Sequence, residues 1–525
     1  MNDDILIIGA GHNGLVCACE LAKKGLKVRV LERRNIVGGA VCTEELVPGY
    51  RFDVGSSLHI MIRATGICED LALERFGLEY IEADPWAFFP VLGQDKGICF
   101  YRDVEKTCAS IAAINTRDAA SYRAFVKHWG ELNEGVFEVF QKAPSGKNML
   151  STLLKRNLLK PASRKLWGSM DTSRQLMMPY GRLIQELFES DEMRAAMAWL
   201  AAQSGPAPME LASGDLLGWN AMIHKIGAWR AKGGSGSLTQ ALAKCLVHHG
   251  GNIELDASVR HINRDQTTGE FVVETENRTF RAQKVVAACH VQTTFLDLLE
   301  PSLLPDGLKK RVENIHTGNG FGMIVRHAVD ELPHYAGQKL DESGIGDCHQ
   351  GMQLLCPSVE YLEATWHDYL QKRAPRQPAV LAMTFSALDK TLAPAGKHVL
   401  FGWAQYHPYE LAAGEGDWES IAEREADKIW DVVCQYAPNM RGKMHARYIQ
   451  TPLEIERKLA LRRGNVMHVE MSLDQMFCFR PLPELSQYRT PITGLYLTGA
   501  STHPGGGVFG ASGRSAAQAV WHDWR

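Results

Sequence analysis

The chain has 525 residues, a formal net charge of -3 and an apolar fraction of 45%. That length exceeds one simple core and predicts two or three domains. The near balance of charge points to no nucleic-acid partner, and no apolar run approaches the roughly 18 residues needed to cross a bilayer. The twelve cysteines are scattered with no CxxC or CxxxxC pair, which predicts reduced thiols, no disulfide framework and no metal site. The first residues are acidic and lead directly into an apolar run, unlike a secretory leader, so a cytoplasmic location is expected.

The first forty residues carry the strongest pattern. Asp4-Ile5-Leu6-Ile7-Ile8 has strand length, Gly9-Ala10-Gly11-His12-Asn13-Gly14 follows at once, and a helix is predicted from Leu15 to Lys24. A second apolar run, Lys27-Val28-Arg29-Val30-Leu31, ends in Glu32, eighteen residues after Gly14. This is the spacing of a dinucleotide-binding βαβ unit. Gly9 permits the tight turn, Gly11 lets the backbone approach a pyrophosphate, and Gly14 lets the helix lie against the strand; His12 and Asn13 occupy the turn between them. Glu32 is placed to accept hydrogen bonds from ribose hydroxyls and disfavours a 2′-phosphate, hence NADP. The continuation Arg33-Arg34-Asn35-Ile36-Val37-Gly38-Gly39 resembles the acid-arginine and Gly-Gly sequence of enzymes that hold FAD at their N-terminus, although Ala40 stands where arginine is usual.

Residues 1–75 are therefore read as the first segment of an FAD domain, with Pro48–Ser57 a turn, strand and glycine approach, and His59 a structural histidine. Residues 76–225 carry helical periodicity such as Tyr122-Phe125-Val126-Trp129-Leu132 and are expected to form a helical substrate domain. Within it, Lys147, Lys155, Arg156, Lys160, Arg164, Lys165, Arg174 and Arg182 face one acid, Asp171, and alternate with leucines. The 147–182 segment has two readings, a basic amphipathic surface resting on an anionic membrane or a solvated helix pair. Residues 226–300 return to cofactor-domain character. They begin with the Gly233-Gly234-Ser235-Gly236 turn and a helix over Leu238–His249, then strands at Asn252–Leu255, Val259–Ile262, Glu270–Val273 and Lys284–Ala288, with Val259 expected to offer a backbone contact to the adenosine. Residues 301–457 alternate strands and helices and are expected to supply the substrate sheet.

Residues 458–525 complete the cofactor domain. Gly494–Gly499 reads as a strand, and Ala500 to Gly513 is a second glycine strip that enters a helix running through Val520. Gly499, Gly506, Gly507 and Val508 are expected to approach the flavin, so both ends of the chain close on one cofactor. His468, Glu470 and Asp474, just before the strip, are the candidates for a catalytic base.

The motifs Gly9–Val16, Phe52–Ser56 and Gly464–Phe477, together with Arg480-Pro481, Tyr488–Pro491 and the C-terminal strip, resemble the phytoene desaturase-related flavoproteins. The pyridine nucleotide-disulfide oxidoreductase domain-containing protein 2 branch is nearest, with bacterial carotenoid ketolases as cousins. The resemblance spans the chain and is strongest in the FAD segments. It implies an α/β protein with a glutathione-reductase-like FAD-binding Rossmann domain of discontinuous segments, an interleaved α+β substrate domain, and desaturation of a long apolar small molecule. The disulfide chemistry in the branch name finds no dithiol here. Three other expectations stand beside desaturation. One is an amine oxidase with Trp403, Tyr406, Tyr409 and Phe479 as pocket aromatics; the others are a flavin-bearing binding protein and a redox-neutral isomerase.

Overall fold

The computed structural model describes residues 3–155 and 166–525. Strand β1 (Asp3–Ile8) is followed by helix α1 (His12–Ala22) and strand β2 (Val28–Leu31). β1 lies parallel between β2 and the long strand Thr279–Ala287, with Leu6 opposite Arg29 on one side and Val285 on the other. Asn252–Glu254 extends the sheet beyond β2. Val259–Arg264 and Phe271–Thr275 form an antiparallel meander beyond Thr279–Ala287, and the C-terminal strand Leu495–Leu497 runs parallel to the Val285–Ala287 end. Among the described residues this makes a seven-stranded sheet.

Both faces of β1 are covered, which explains its unbroken apolar run. Ile5, Ile7, Val28 and Val30 pack with α1 and the helices Gly236–His248 and Ala511–His522, while Leu6, Ile8 and Leu31 pack with the meander and the 291–315 segment. Glycines set how closely these layers approach. A Cβ on Gly14 would lie 2.3 Å from the Gly9 carbonyl oxygen, and one on Gly513 would lie 2.2 Å from the Asn13 carbonyl oxygen. The C-terminal helix thus rests directly on α1, and residues five hundred positions apart share one wall.

The second sheet has the order Met444–Gln450, Gly322–Val329, His398–Gln405, Ala379–Met383, Met352–Leu355, Ala87–Pro90, Gly97–Phe100. Its pairs are antiparallel except Met352–Leu355 with Ala87–Pro90. Helix Thr116–Phe140 supplies Tyr122 and Trp129, helix Tyr180–Leu187 supplies Leu183 and Ile184, and helix Asp191–Ala202 supplies Trp199 to the core on one face, and Trp418–Tyr436 covers the other. The expected helical character of 76–225 needs amendment. Tyr80–Glu82, Ala87–Pro90 and Gly97–Phe100 are strands, whose partners lie at 229–231 and 352–353 or in their own hairpin. Their residues are apolar enough for either structure, and distant pairing decides between them.

The Phe52–Ser56 motif is pinned between the two sheets by a buried polar knot. The Asp53 carboxylate accepts from Arg230 Nη1 at 2.6 Å, Thr43 Oγ1 at 2.8 Å and the Ser235 amide at 2.7 Å. Arg326, on a strand of the second sheet, donates from Nε to the Asp53 carbonyl at 2.6 Å, from Nη2 to the Val54 carbonyl, and from Nη1 to Gln450 Oε1 at 2.7 Å. The Asp53 and Arg230 side chains are each 2% exposed. Removing one partner of such a pair strands the other charge in the core, at about 3–5 kcal/mol. Arg230→Ala should therefore lower unfolding stability by about that amount in denaturant titration of the holo-protein; an unchanged midpoint would mean that the knot does not hold the sheets together.

Candidate functional site

The C-terminal edge of β1, the first turn of α1 and the C-terminal strip enclose a cavity of about 490 Å³, a normal size for a cofactor site. At one end are Glu32, Arg33, Ala257, Val259 and Arg260; Gly9, Gly11, His12, Asn13, Gly14, Gly38 and Gly39 follow, and the other end carries Met467, His468, Gly499, Ala500, Gly507 and Val508. The sequence-expected cofactor residues therefore share one cavity, with one exception. Gly506 does not line it and packs against Met467, whose sulfur a Gly506 Cβ would meet at 2.2 Å.

The cavity has the features a dinucleotide requires. Gly11 is the N-cap of α1 and has no side chain to satisfy the free amides of the first helical turn. A Cβ at Gly11 would meet no protein atom within 4 Å, so the space it leaves is available to a ligand. Glu32 is buried. Its Oε2 accepts the Ala10 amide at 2.9 Å and its Oε1 the Arg34 amide at 3.0 Å, which fixes the carboxylate while leaving acceptor capacity for two hydroxyls. These residues fit FAD. Ser56, in the expected glycine approach, lines the cavity as well; sequence reasoning missed His290, Leu459 and Leu461, which come from segments whose approach only the fold reveals.

The histidines here are held neutral. Burial pushes His12 and His290 down to about 4 and His468 well below the usual imidazole range. The Gln292 amide donates to His290 Nδ1 at 3.1 Å, so His290 donates from Nε2 to the His468 carbonyl at 2.9 Å. His468 Nδ1 lies 3.1 Å from Ser501 Oγ. His59 is fully buried between Tyr80 and Ser235 at 2.8 and 2.7 Å, in keeping with a structural role.

A second cavity, of about 690 Å³, lies on the other side of the 466–473 segment. Consecutive residues divide between the two spaces. Val466, Met467 and His468 line the first, and Glu470 to Leu473 line the second, so this segment is their common wall. The second cavity also draws on 205–213, 313–321, Trp366, Tyr369 and Tyr406. Trp366 stacks on Tyr369 at 4.7 Å and meets Tyr406 edge-on at 4.9 Å. Three of the large apolar side chains most exposed on the described surface, Leu211, Leu370 and Leu473, stand at this cavity.

Glu470 is the half-buried acid of that wall. Asn465 Nδ2 donates to its Oε1 at 3.1 Å. Desolvation is the largest influence on it and raises it to about 7, with Arg480 opposing and Glu210 reinforcing. Asp474 is exposed and lines neither cavity. Of the aromatics weighed for an amine pocket, Tyr406 lines the second cavity, Trp403 is buried against Phe321, Phe479 is 47% exposed, and Trp403, Tyr409 and Phe479 line neither space. His503 is a loop-holding residue: it is buried, contacts the Val139 carbonyl at 3.1 Å and packs on Phe140.

Gly11→Val should yield colourless protein that FAD cannot reconstitute, because the side chain fills the ligand space without a clash in the protein; a yellow, stoichiometrically loaded variant would refute that placement. Glu32→Ala removes charge-assisted hydrogen bonds, each worth about 1.5–3 kcal/mol. FAD affinity, read by fluorescence titration, should fall at least tenfold, and unchanged affinity would remove Glu32 from the site.

Comparison with known proteins agrees with this architecture. The family model for flavin-containing amine oxidoreductases matches residues 14–328. The chain is similar to mouse (Mus musculus) pyridine nucleotide-disulfide oxidoreductase domain-containing protein 2, 32% identical with 99% of this chain and 93% of that protein covered. It is also similar to one component of the limonene dehydrogenase of Castellaniella defragrans (28%; 99% and 94% covered) and to the lycopene-forming phytoene desaturase of Pantoea ananas (27%; 98% and 97% covered). Among solved structures, cyclohexylamine oxidase from Brevibacterium oxydans shares the fold with a TM-score of 0.60 at 15% identity, each chain covered in full. With a two-ended FAD cavity and a family match over more than half its length, the chain belongs to the flavin-containing amine oxidoreductase family and is an FAD-dependent oxidoreductase related to the phytoene desaturases.

Proposed function

We propose that this oxidoreductase dehydrogenates a saturated bond of a largely apolar small molecule held in the second cavity, with Glu470 as the proton acceptor. The observation that carries the reading is the shared wall. One short segment separates the space fitted for FAD from a larger aromatic space that presents a half-buried carboxyl. FAD, when bound, supplies the acceptor for the hydride that leaves one carbon of the substrate. The protein's own residues then have these tasks. Trp366, Tyr369 and Tyr406 align an apolar body and displace water beside it, and the Glu470 carboxylate takes the proton lost from the neighbouring carbon. His468 faces the other cavity and is held neutral, and Asp474 is in solvent, so neither competes for this role.

Leu211, Leu370 and Leu473 at the mouth support delivery of the substrate from an apolar phase. For the basic 147–182 segment, Arg174 is paired with Asp171 and Glu186, Lys147 and Arg182 are exposed, and the side chains of Lys155, Arg156, Lys160, Arg164 and Lys165 lie outside the described residues. No described helix is long and apolar enough to cross a membrane. Contact with a membrane surface through this segment is part of the proposal. The names of the limonene and phytoene relatives favour an apolar substrate. A second reading, oxidation of a C–N bond, is favoured by the Trp366, Tyr369 and Tyr406 cluster beside Glu210 and Glu470, a setting that also suits an amine.

Anaerobic addition of candidate substrates to the FAD-loaded protein separates the readings. Bleaching of the flavin absorption by apolar hydrocarbons and not by amines is the expected result. Bleaching by amines alone would transfer the site to the second reading. No bleaching by either would favour an isomerase or binding protein. With the active substrate, the rate of flavin reduction should rise with pH through about 7 as Glu470 loses its proton. Glu470→Gln should abolish that limb and slow reduction by about 10²-fold or more; a limb that survives the substitution would exclude Glu470 as the acceptor.

A further inference from the structure

Arg480 is fully buried, yet no described carboxylate forms an ion pair with it; carbonyls surround it instead. Nε and Nη2 donate to the Ala500 carbonyl at 3.1 and 2.7 Å, Nη2 also reaches the Met467 and Val469 carbonyls at 2.8 and 3.1 Å, and Nη1 reaches those of Glu470 and Gln475 at 3.2 and 3.1 Å. Two of those carbonyl owners, Met467 and Ala500, line the FAD cavity, and a Cβ on Gly505 would lie 3.3 Å from Arg480 Nε. The guanidinium therefore stands one peptide layer behind the glycine strip at the end of the cavity away from Glu32.

Burying a cation with no carboxylate in contact is costly; hydrogen bonds to neutral carbonyls satisfy its donors without cancelling its charge, and Glu470 offsets it only through space and only when ionised. The five N–H groups of the fork cross-link these carbonyls, which a neutral amide with two donors could not do. What the charge adds is a fixed positive potential, weakly screened because water is excluded, directed at the cavity wall. Reduced flavin carries negative charge that oxidised flavin lacks, so a cation held there stabilises the reduced form selectively.

We infer that Arg480 is a positioning and electrostatic residue whose buried charge raises the reduction potential of bound FAD, by favouring the reduced over the oxidised cofactor at least tenfold. The inference rests on the FAD site and not on the choice of substrate, so it stands or falls independently of the desaturation reading.

The test is the midpoint potential of bound FAD, measured by photoreduction against reference dyes in the wild-type protein, Arg480→Lys and Arg480→Gln. Wild-type FAD should be easier to reduce than free FAD at the same pH by at least a tenfold preference for the reduced form, about 30 mV for a two-electron couple. Arg480→Lys, which keeps the charge but loses the planar fork, should stay within threefold of wild type, and Arg480→Gln should lose the preference. Wild-type FAD at or below the free value would overturn the inference without any variant, which covers a Gln protein that does not fold. A folded, loaded Gln variant with the wild-type potential would overturn it too. So would a Lys variant that falls as far as Gln, because the carbonyl cage and not the charge would then set the potential.

Discussion

The close approach of the two chain ends is the constraint on which the rest of the structure depends. α1 lies against β1 because Gly14 has no Cβ to strike the Gly9 carbonyl, and the C-terminal helix lies against α1 because Gly513 has none to strike Asn13. Without those contacts the first-turn amides of α1 and the Gly499–Val508 strip would line separate surfaces. With them, they line one cavity. The interleaved topology follows, since a chain that begins and ends in the cofactor sheet must place its substrate sheet in the intervening segments. The Asp53 knot then ties the second sheet, through Arg326, to Arg230 and to the Ser235 turn that leads into the helix Gly236–His248 on the first sheet.

Charge is used sparingly inside this frame. Burial holds His12, His290, His468 and His503 neutral, so the imidazoles shape walls and exchange no protons near neutral pH. The ionisable group poised near neutrality at the shared wall is Glu470. Behind the same wall Arg480, lowered by burial to about 9, keeps its charge. A carboxyl facing the substrate side and a cation behind the cofactor strip give the wall a polarity suited to separating a proton from a hydride.

Local pattern made much of the fold legible. The βαβ unit with Glu32, the strand at Val259–Arg264 and the helix through Val520 lie where periodicity and glycine spacing put them, within a few residues. Strands Ala87–Pro90 and Gly97–Phe100 were hidden, because their membership of the second sheet is set by a partner some 260 residues away. Asp53 was hidden as a hub because its partners, at 43, 230 and 235, come from two distant segments, with Arg326 holding its carbonyl. The second cavity was the least legible. Its walls come from 205–213, 313–321, 366–372 and 470–473, and of these stretches only the last lies in a motif. Glu470 stood out only for its position before the glycine strip, and nothing in one dimension separates it from the exposed Asp474 four residues later.

The most direct measurement is a crystal structure of the FAD-loaded protein with an apolar substrate analogue. The expected result has the pyrophosphate on the amides after Gly11, the flavin ring against Ala500 and Gly507, and the analogue in the Trp366 and Tyr406 cavity with its reacting carbon between the ring and the Glu470 carboxyl. An analogue bound elsewhere, or a ring sealed from the second cavity by an unbroken 466–473 wall, would contradict the division of labour between the two cavities.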